Sequence, residues 1–289
     1  MKSDLPVVWI TGAAGLIGHY LVETSYSCCP ERAVLPLTRH NLDLTDFSRV
    51  RATFWKHPPT LVVHCAALSR SPDCQANPEL AEKLNVEVTR VLADLAADIP
   101  FIFLSTDLVF DGAKGNYRED DAVNPLSVYA ETKVKAEQVV LSNPRHLVIR
   151  TSLNCGRSFA GNRGFNEQWR AAWREGQMLS LFTDEFRSPI PAEVTARTIW
   201  SLAAGTAGGL SGLFHVAGSD RLSRYEMGEL LADRCQELNP RFKRASLNDY
   251  AGAPRPPDTS FDCRKVQAIL PFPLPGLREW VKTHPNSDY

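Results

Sequence analysis

Tyr129 and Lys133 stand four residues apart in the run Pro125-Leu-Ser-Val-Tyr-Ala-Glu-Thr-Lys-Val-Lys-Ala-Glu137, a spacing that suits proton chemistry. Pro125 fits a helix entry, and Ala130, Lys133, Lys135, Ala136 and Glu137 favour helix. The phenol and the amine then fall one turn apart on one face. An ammonium beside a phenol favours the phenolate, so the Tyr129 pKa is expected to drop from its usual value of about 10. Alone the pair is a weak signal, since Tyr and Lys at this spacing are common on solvated helices. Two further stretches strengthen it.

The first is Thr11-Gly-Ala-Ala-Gly-Leu-Ile-Gly18, which follows the apolar run Val7-Val-Trp-Ile10 and precedes the helical pattern from His19. Strand, glycine turn and helix in that order suit a pyrophosphate, because glycine lets the backbone come close and a helix start offers free N–H groups. The spacing is G-x-x-G-x-x-G, not the usual G-x-G-x-x-G. The second is Pro100-Phe-Ile-Phe-Leu-Ser-Thr106, a strand ending in two hydroxyls.

Around these stretches, strands and helices alternate. Ala33–Leu37 reads as a second strand, and Thr38 and Arg39 at its end include no carboxylate. An acidic residue there would take ribose hydroxyls, whereas Arg39 suits a 2′-phosphate. Asp43 is placed to accept from an adenine amino group, and Thr45 or Asp46 caps a helix over Phe47–Trp55. Leu61–Ala67 forms a third strand, 68–77 a polar loop, and Pro78 opens a helix to Ala97. Leu80, Leu84, Val88, Val91, Leu92 and Leu95 give that helix its core face, which Asn85 interrupts. His146–Arg150 is a fifth strand. The alternation predicts an α/β fold of Rossmann type, a doubly wound parallel sheet with ligands at the carboxyl ends of its strands. Gly12, Ala66, Thr106 and Thr151 all lie at that edge.

Beyond 152 the pattern loosens into a smaller carboxyl-terminal substrate-binding region. The expected division is 1–152 for the dinucleotide-binding domain and 153–289 for the cap, with some segments returning to the core. The predicted elements are helices over Phe165–Glu175, Glu193–Ala204 and Tyr225–Leu238, strands over Met178–Phe182 and Leu213–Ala217, and a final helical region at Val266, Ile269 and Leu270. Gly205–Gly209 reads as a flexible connector.

The 289 residues suffice for one large domain and a smaller partner, and 44% apolar with 22% charged residues is ordinary for a globular chain. A net charge of -1 without charge blocks offers nothing to nucleic acid. Met1–Pro6 lacks the apolar core of a signal peptide, and no run suggests a membrane span, so the expected compartment is the cytoplasm. Seven Cys without a C-x-x-C pair read as reduced thiols, and neither they nor the seven His show ligand spacing, so no metal is expected.

Taken together, Thr11–Gly18, Ala66-Ala67, Ser105-Thr-Asp-Leu-Val-Phe-Asp-Gly112, Tyr129-Ala-Glu-Thr-Lys133 and Arg150-Thr-Ser152 resemble an extended short-chain dehydrogenase/reductase of the dTDP-4-dehydrorhamnose reductase group. Phe214–Gly218 and Arg255–Asp262 extend the likeness more thinly. The resemblance implies an oxidoreductase using NADP(H) or NAD(H) on a nucleotide-linked 4-keto sugar. It implies Tyr129 as proton donor, Lys133 on the nicotinamide ribose, and Thr106 orienting the carbonyl, with Asp107 beside it on the substrate side. Gly12, Gly15, Leu16 and Ile17 would contact the pyrophosphate, Asp43 and Leu44 the adenine side, and Ala66, Ala67 and Leu68 the middle of the cofactor. A homodimer is left open.

The chain departs from the group where Leu68 and Leu153 replace aromatics and where Arg187-Ser-Pro-Ile-Pro-Ala192 replaces an Asn-Pro-Thr type stretch, so the substrate wall differs. Arg187 and Arg255, each before a proline-stiffened turn, are candidates for gripping a diphosphate, whereas Arg157 and Arg163 read as solvated surface. Two other readings remain. One is an epimerase or dehydratase, against which the lack of a Glu after Thr106-Asp107 counts. The other is a non-catalytic subunit like the regulatory subunit of methionine adenosyltransferase, against which the intact Thr106, Tyr129 and Lys133 count.

Overall fold

Apolar side chains alternate along the central strands of the structure, a computed structural model that describes residues 5–285. The Met1–Asp4 part of the amino-terminal stretch lies outside the described residues. In chain order the first half contains β1 (Val7–Thr11), α1 (Leu16–Cys28), β2 (Ala33–Leu37), α2 (Phe47–Lys56) and β3 (Leu61–His64). Next come α3 (Ser71–Ala76), α4 (Pro78–Glu82), a π-helical turn (Lys83–Glu87), α5 (Val88–Leu95), β4 (Phe101–Thr106), α6 (Val128–Leu141) and β5 (Leu147–Thr151). The second half contributes β6 (Asn154–Cys155), α7 (Phe165–Arg174), β7 (Leu179–Phe182), β8 (Phe186–Arg187), β9 (Ile190–Pro191) and α8 (Ala192–Gly205). It continues through β10 (Gly212–Val216), β11 (Leu222–Ser223), α9 (Arg224–Arg234), β12 (Phe242–Ala245), α10 (Arg264–Gln267) and α11 (Leu277–Thr283).

Six strands form one parallel sheet in the order β10-β5-β4-β3-β1-β2. Val8 and Ile10 of β1, Leu61 and Val63 of β3, Ile102 of β4, and Leu147 and Ile149 of β5 share one core with Leu21 of α1 and Ile199 and Trp200 of α8. Trp9, Val62, Phe101, Phe103 and Val148 point the other way and pack with Phe54 of α2, Leu92 of α5 and Val140 of α6. Period-two alternation thus serves two helical layers, and both faces of the sheet are covered. Where β1 stands between β2 and β3 the strand order reverses, which opens a crevice at the carboxyl edge.

Several expectations are corrected. The 68–77 loop contains α3, with Pro72 in its first turn and only Cys74 buried, so apolar periodicity could not reveal it. The helix expected over Pro78–Ala97 is broken by the π-helical turn, and the extra residue rotates its face: Ala81 is buried while Leu80 is 40% exposed. Gly205–Gly209 is the end of α8 followed by a 3₁₀ turn, Thr206–Gly208. The final helical region is only α10, and α11 follows it. Strand β12, which pairs in parallel with β7, had no sequence signal. Among the described residues no helix is long and apolar enough to cross a membrane.

His64 and His215 are fully buried, and burial keeps them neutral. The Thr89 hydroxyl donates to the Asn85 carbonyl at 2.7 Å, so at 3.1 Å it accepts from His64 Nε2. Nδ1 of His64 is then the acceptor for the Thr11 hydroxyl at 2.6 Å. His215 Nδ1 donates to the Tyr117 carbonyl at 3.1 Å, while Nε2 faces Arg150 Nη1 at 3.4 Å. Burial, helped at His215 by Arg150, holds both pKa values down to about 3. Between the usual His value, about 6.5, and that depressed value, the unfolded chain binds protons that the folded chain refuses. Stability should therefore fall on acidification through this window, by up to about 1.4 kcal/mol per pH unit for each histidine. Denaturant melts of His215→Gln and wild type from pH 7 to 4 test this, and equal slopes would contradict it.

Candidate active site

The turn after β1 is the first part of the site. Gly12 adopts a φ of +67°, and a Cβ there would lie 2.7 Å from the Ala66 nitrogen. Only glycine lets the two strand ends approach this closely. Gly15 caps α1 without a side-chain acceptor, and the first turn, which includes Leu16 and Ile17, holds no acidic residue. The orphan N–H groups there remain for an anion, so the donor set fits a pyrophosphate. Ala66 N–H donates to the Thr11 hydroxyl at 3.3 Å, which ties the exit of β3 to the same turn.

On the neighbouring side, Arg39 is exposed after β2, and its charge helps to lower the Asp43 pKa. The larger cause is hydrogen bonding: Asp43 Oδ1 accepts from the Thr45 N–H at 2.9 Å and the Thr45 hydroxyl at 2.8 Å. Asp46, not Thr45, caps α2. Leu44 is partly buried against the core on that face.

Asn85 is a site residue that sequence reasoning passed over. It sits buried in the π-helical turn, accepts from the Leu68 N–H at 2.8 Å, and donates to the Leu68 carbonyl at 3.1 Å and the Thr132 hydroxyl at 2.9 Å. Leu68 is thereby pinned to α6, the helix of Tyr129. The signal was present as a lone amide within an apolar face.

Thr106 ends β4, and its hydroxyl accepts from Leu108 N–H and donates to Asp107 Oδ1, both at 3.2 Å. The Thr106 hydroxyl lies near the Tyr129 phenol and acts to lower its pKa. Helix α6 begins at Val128 with Ser127 as cap, three residues after the expected entry at Pro125. Lys133 does lie one turn from Tyr129, but its ammonium donates to the Leu104 carbonyl at 2.6 Å and stands 3.9 Å from the centre of the Phe103 ring. Burial pushes the Lys133 pKa down to about 7. The expected lowering of the Tyr129 pKa is reversed: burial raises it, Asp107 and Cys74 add to the rise, and only the Thr106 hydroxyl opposes. A neutral phenol at neutral pH is a proton donor and a poor base.

Asp107 is buried, which raises its pKa against the pull of Arg187 and three hydroxyls. Besides Thr106, Ser152 at 2.8 Å and Thr259 at 2.9 Å donate to its Oδ2. The Arg187 guanidinium lies 3.6 Å from Asp107 and 3.1 Å from Glu185, and its Nη1 donates to the carbonyls of Phe186 and Pro256. It is 3% exposed. Arg187 is therefore turned into the protein, and the expectation that it grips a diphosphate is corrected. Arg255 uses Nε and Nη2 on Glu185 at 2.7 and 3.0 Å, so its bidentate edge is occupied as well. Glu185 lies two residues before Arg187, but Asp107 is distant from Arg187 in the chain, as Glu185 is from Arg255. Arg157 and Arg163 are exposed. Leu153 packs against the cluster that contains Phe165 and Trp169. Among the described residues no group of acidic, His or Cys side chains could hold a metal.

The profile of one protein family, described as the RmlD substrate binding domain, matches residues 7–287. The chain belongs to that family. Among its relatives, a probable low-salt glycan biosynthesis reductase, Agl14, of Haloferax volcanii is 33% identical over 94% of both chains. Methionine adenosyltransferase 2 subunit beta of Xenopus tropicalis is 27% identical, over 93% of this chain and 85% of that one. In fold, the chain matches the dTDP-4-dehydrorhamnose reductase of Bacillus anthracis, solved in complex with NADP, with a TM-score of 0.85 at 23% identity over 96% and 98% of the two chains.

Truncating Arg187 would leave Asp107 buried without its counter-charge, while Glu185 would keep Arg255 alone. Arg187→Ala should lower stability by about 3–5 kcal/mol, measured by denaturant unfolding. A loss below about 1 kcal/mol would be surface-pair behaviour and would sink this account.

Proposed function

We propose that the chain is an NAD(P)H-dependent reductase of a nucleotide-linked 4-keto sugar. The observation that carries this reading is the Thr106–Tyr129 hydroxyl pair at the end of β4, beside a glycine turn with an uncapped helix start. The reductase description of the Haloferax relative and the NADP held by the Bacillus neighbour support it. Arg39, exposed after a strand end that carries no carboxylate, favours the 2′-phosphorylated cofactor.

A bound nicotinamide would supply the hydride. Tyr129, held neutral by burial, gives its proton to the carbonyl oxygen as negative charge develops there. The Thr106 hydroxyl stands beside that oxygen and orients it. Lys133 braces α6 against β4 through Leu104, and the ribose contact implied by the family resemblance belongs to this proposal. Asp107 has both oxygens engaged by hydroxyls and Arg187, so no acid is left beside Thr106 for dehydration. This favours simple reduction over the dehydratase reading.

A second reading, a cofactor-binding subunit that does not turn over, draws on the likeness to methionine adenosyltransferase 2 subunit beta. Mixing the protein with NADPH and a panel of nucleotide-linked 4-keto sugars separates the two. Absorbance loss at the nicotinamide band is expected, and none across the panel would favour the subunit. On an accepted substrate, Tyr129→Phe should lower kcat by about two to four orders of magnitude, with NADPH affinity little changed. Full turnover would remove Tyr129 from the mechanism. Arg39→Ala should weaken NADPH more than NADH in fluorescence titrations, and equal losses would refute its phosphate role.

A further inference from the structure

Three guanidinium groups, those of Arg187, Arg224 and Arg255, share two buried carboxylates, those of Asp107 and Glu185. Arg187 ion-pairs with both carboxylates, and Arg255 takes Glu185 in a fork. Arg224 receives neither as a hydrogen-bond partner: only its backbone N–H meets this group, donating to the Glu185 carbonyl at 3.0 Å. Its guanidinium carbon lies 5.0 Å from the centre of the Trp169 ring and 5.5 Å from that of Phe165, and no described residue accepts a hydrogen bond from it.

Arg224 is half-buried, and both neighbouring arginines repel it. Burial in the first place, with that repulsion, pushes its pKa down to about 10 against the attraction of Glu185 and Asp107. A half-buried guanidinium with its fork unused is a site for an external anion, because a buried charge is stable when paired and hydrogen-bonded. Its position is also tied to the catalytic edge. Asp107, the residue after Thr106, is among the charges that act on Arg224, and the rings beside Arg224 belong to the cluster against which Leu153 packs. Ser152, next to Leu153, holds Asp107.

We infer that Arg224, held beside Trp169 and Phe165, binds the diphosphate of the substrate and sets the distance between that diphosphate and the carbonyl at Thr106 and Tyr129. The inference rests on the nucleotide-sugar reading above and assigns to Arg224 the grip that Arg187 and Arg255 have spent on Glu185. A diphosphate suits this place because its paired oxygens accept a guanidinium fork in two parallel hydrogen bonds. The two rings beside it restrict the guanidinium, which reduces the freedom lost on binding.

Calorimetric titration of thymidine diphosphate, uridine diphosphate and inorganic pyrophosphate into the whole protein tests this without any turnover. Wild type should bind at least one nucleoside diphosphate, and Arg224→Gln should weaken it by about ten- to a hundredfold, with NADPH affinity unchanged. Arg224→Lys, which keeps the charge and the apolar stem but not the fork, should fall between them and decides the matter if the Gln variant does not fold. Equal diphosphate affinity in wild type and the variants, a matching loss for NADPH, or no binding by wild type would each overturn the inference. Failure of the reductase reading looks different: diphosphate binding that depends on Arg224 while no keto sugar is reduced. The converse result, keto-sugar reduction with a KM indifferent to Arg224, keeps the reductase and removes this site.

Discussion

A carboxylate buried at the end of β4 ties the two halves of this chain together. Asp107 draws hydroxyls from Thr106 beside it, from Ser152 past β5 and from Thr259 near the carboxyl terminus, and it faces Arg187 of β8. In a medium of low polarity such a group is tolerable only when its lone pairs are filled. The fold therefore has to bring four distant segments to one point, and Thr106 stands at that point. Glu185 continues the chain of charges outward through Arg255. This region is thus held by ionic groups that admit one arrangement, where an apolar contact would tolerate several.

Neutral polar networks play the same part on the cofactor side. Asn85 fixes Leu68 by both its N–H and its carbonyl, and the widened helical turn gives the amide room to do so. His64 joins Thr11 and Thr89 beneath the glycine turn in a single tautomer. The backbone that would meet a pyrophosphate is therefore positioned by hydrogen bonds whose directions are all determined, which suits a surface that must accept an anion without rearranging.

How much of this was legible follows from the range of each interaction. Strands β1 to β5 and the glycine turn could be read because alternation and glycine spacing are local signals. The orientation of Lys133 could not, because helix periodicity places its Cα and leaves open whether the amine meets Tyr129 or the Leu104 carbonyl. The direction of the Tyr129 shift was missed for a related reason. A charge four residues away is visible in sequence, but the burial that outweighs it is set by the packing of Leu68, Leu108, Cys74 and Ala81. Arg187 and Arg255 were found as residues and misjudged as free, since Glu185 was not recognisable as their shared partner.

The sixth strand carries a consequence for synthesis of the chain. β10 pairs with β5, bringing Arg150 and His215 together across 65 residues, and the whole stretch from Leu153 to Gly209 lies between them. While the ribosome makes that stretch, the Leu147–Thr151 strand, fully buried in the finished protein, has an open and apolar edge. Parallel pairing across so long a loop is slow to form. The nascent chain is therefore most prone to wrong association in the interval between the appearance of β5 and that of β10, when the amino-terminal half is otherwise ready to fold.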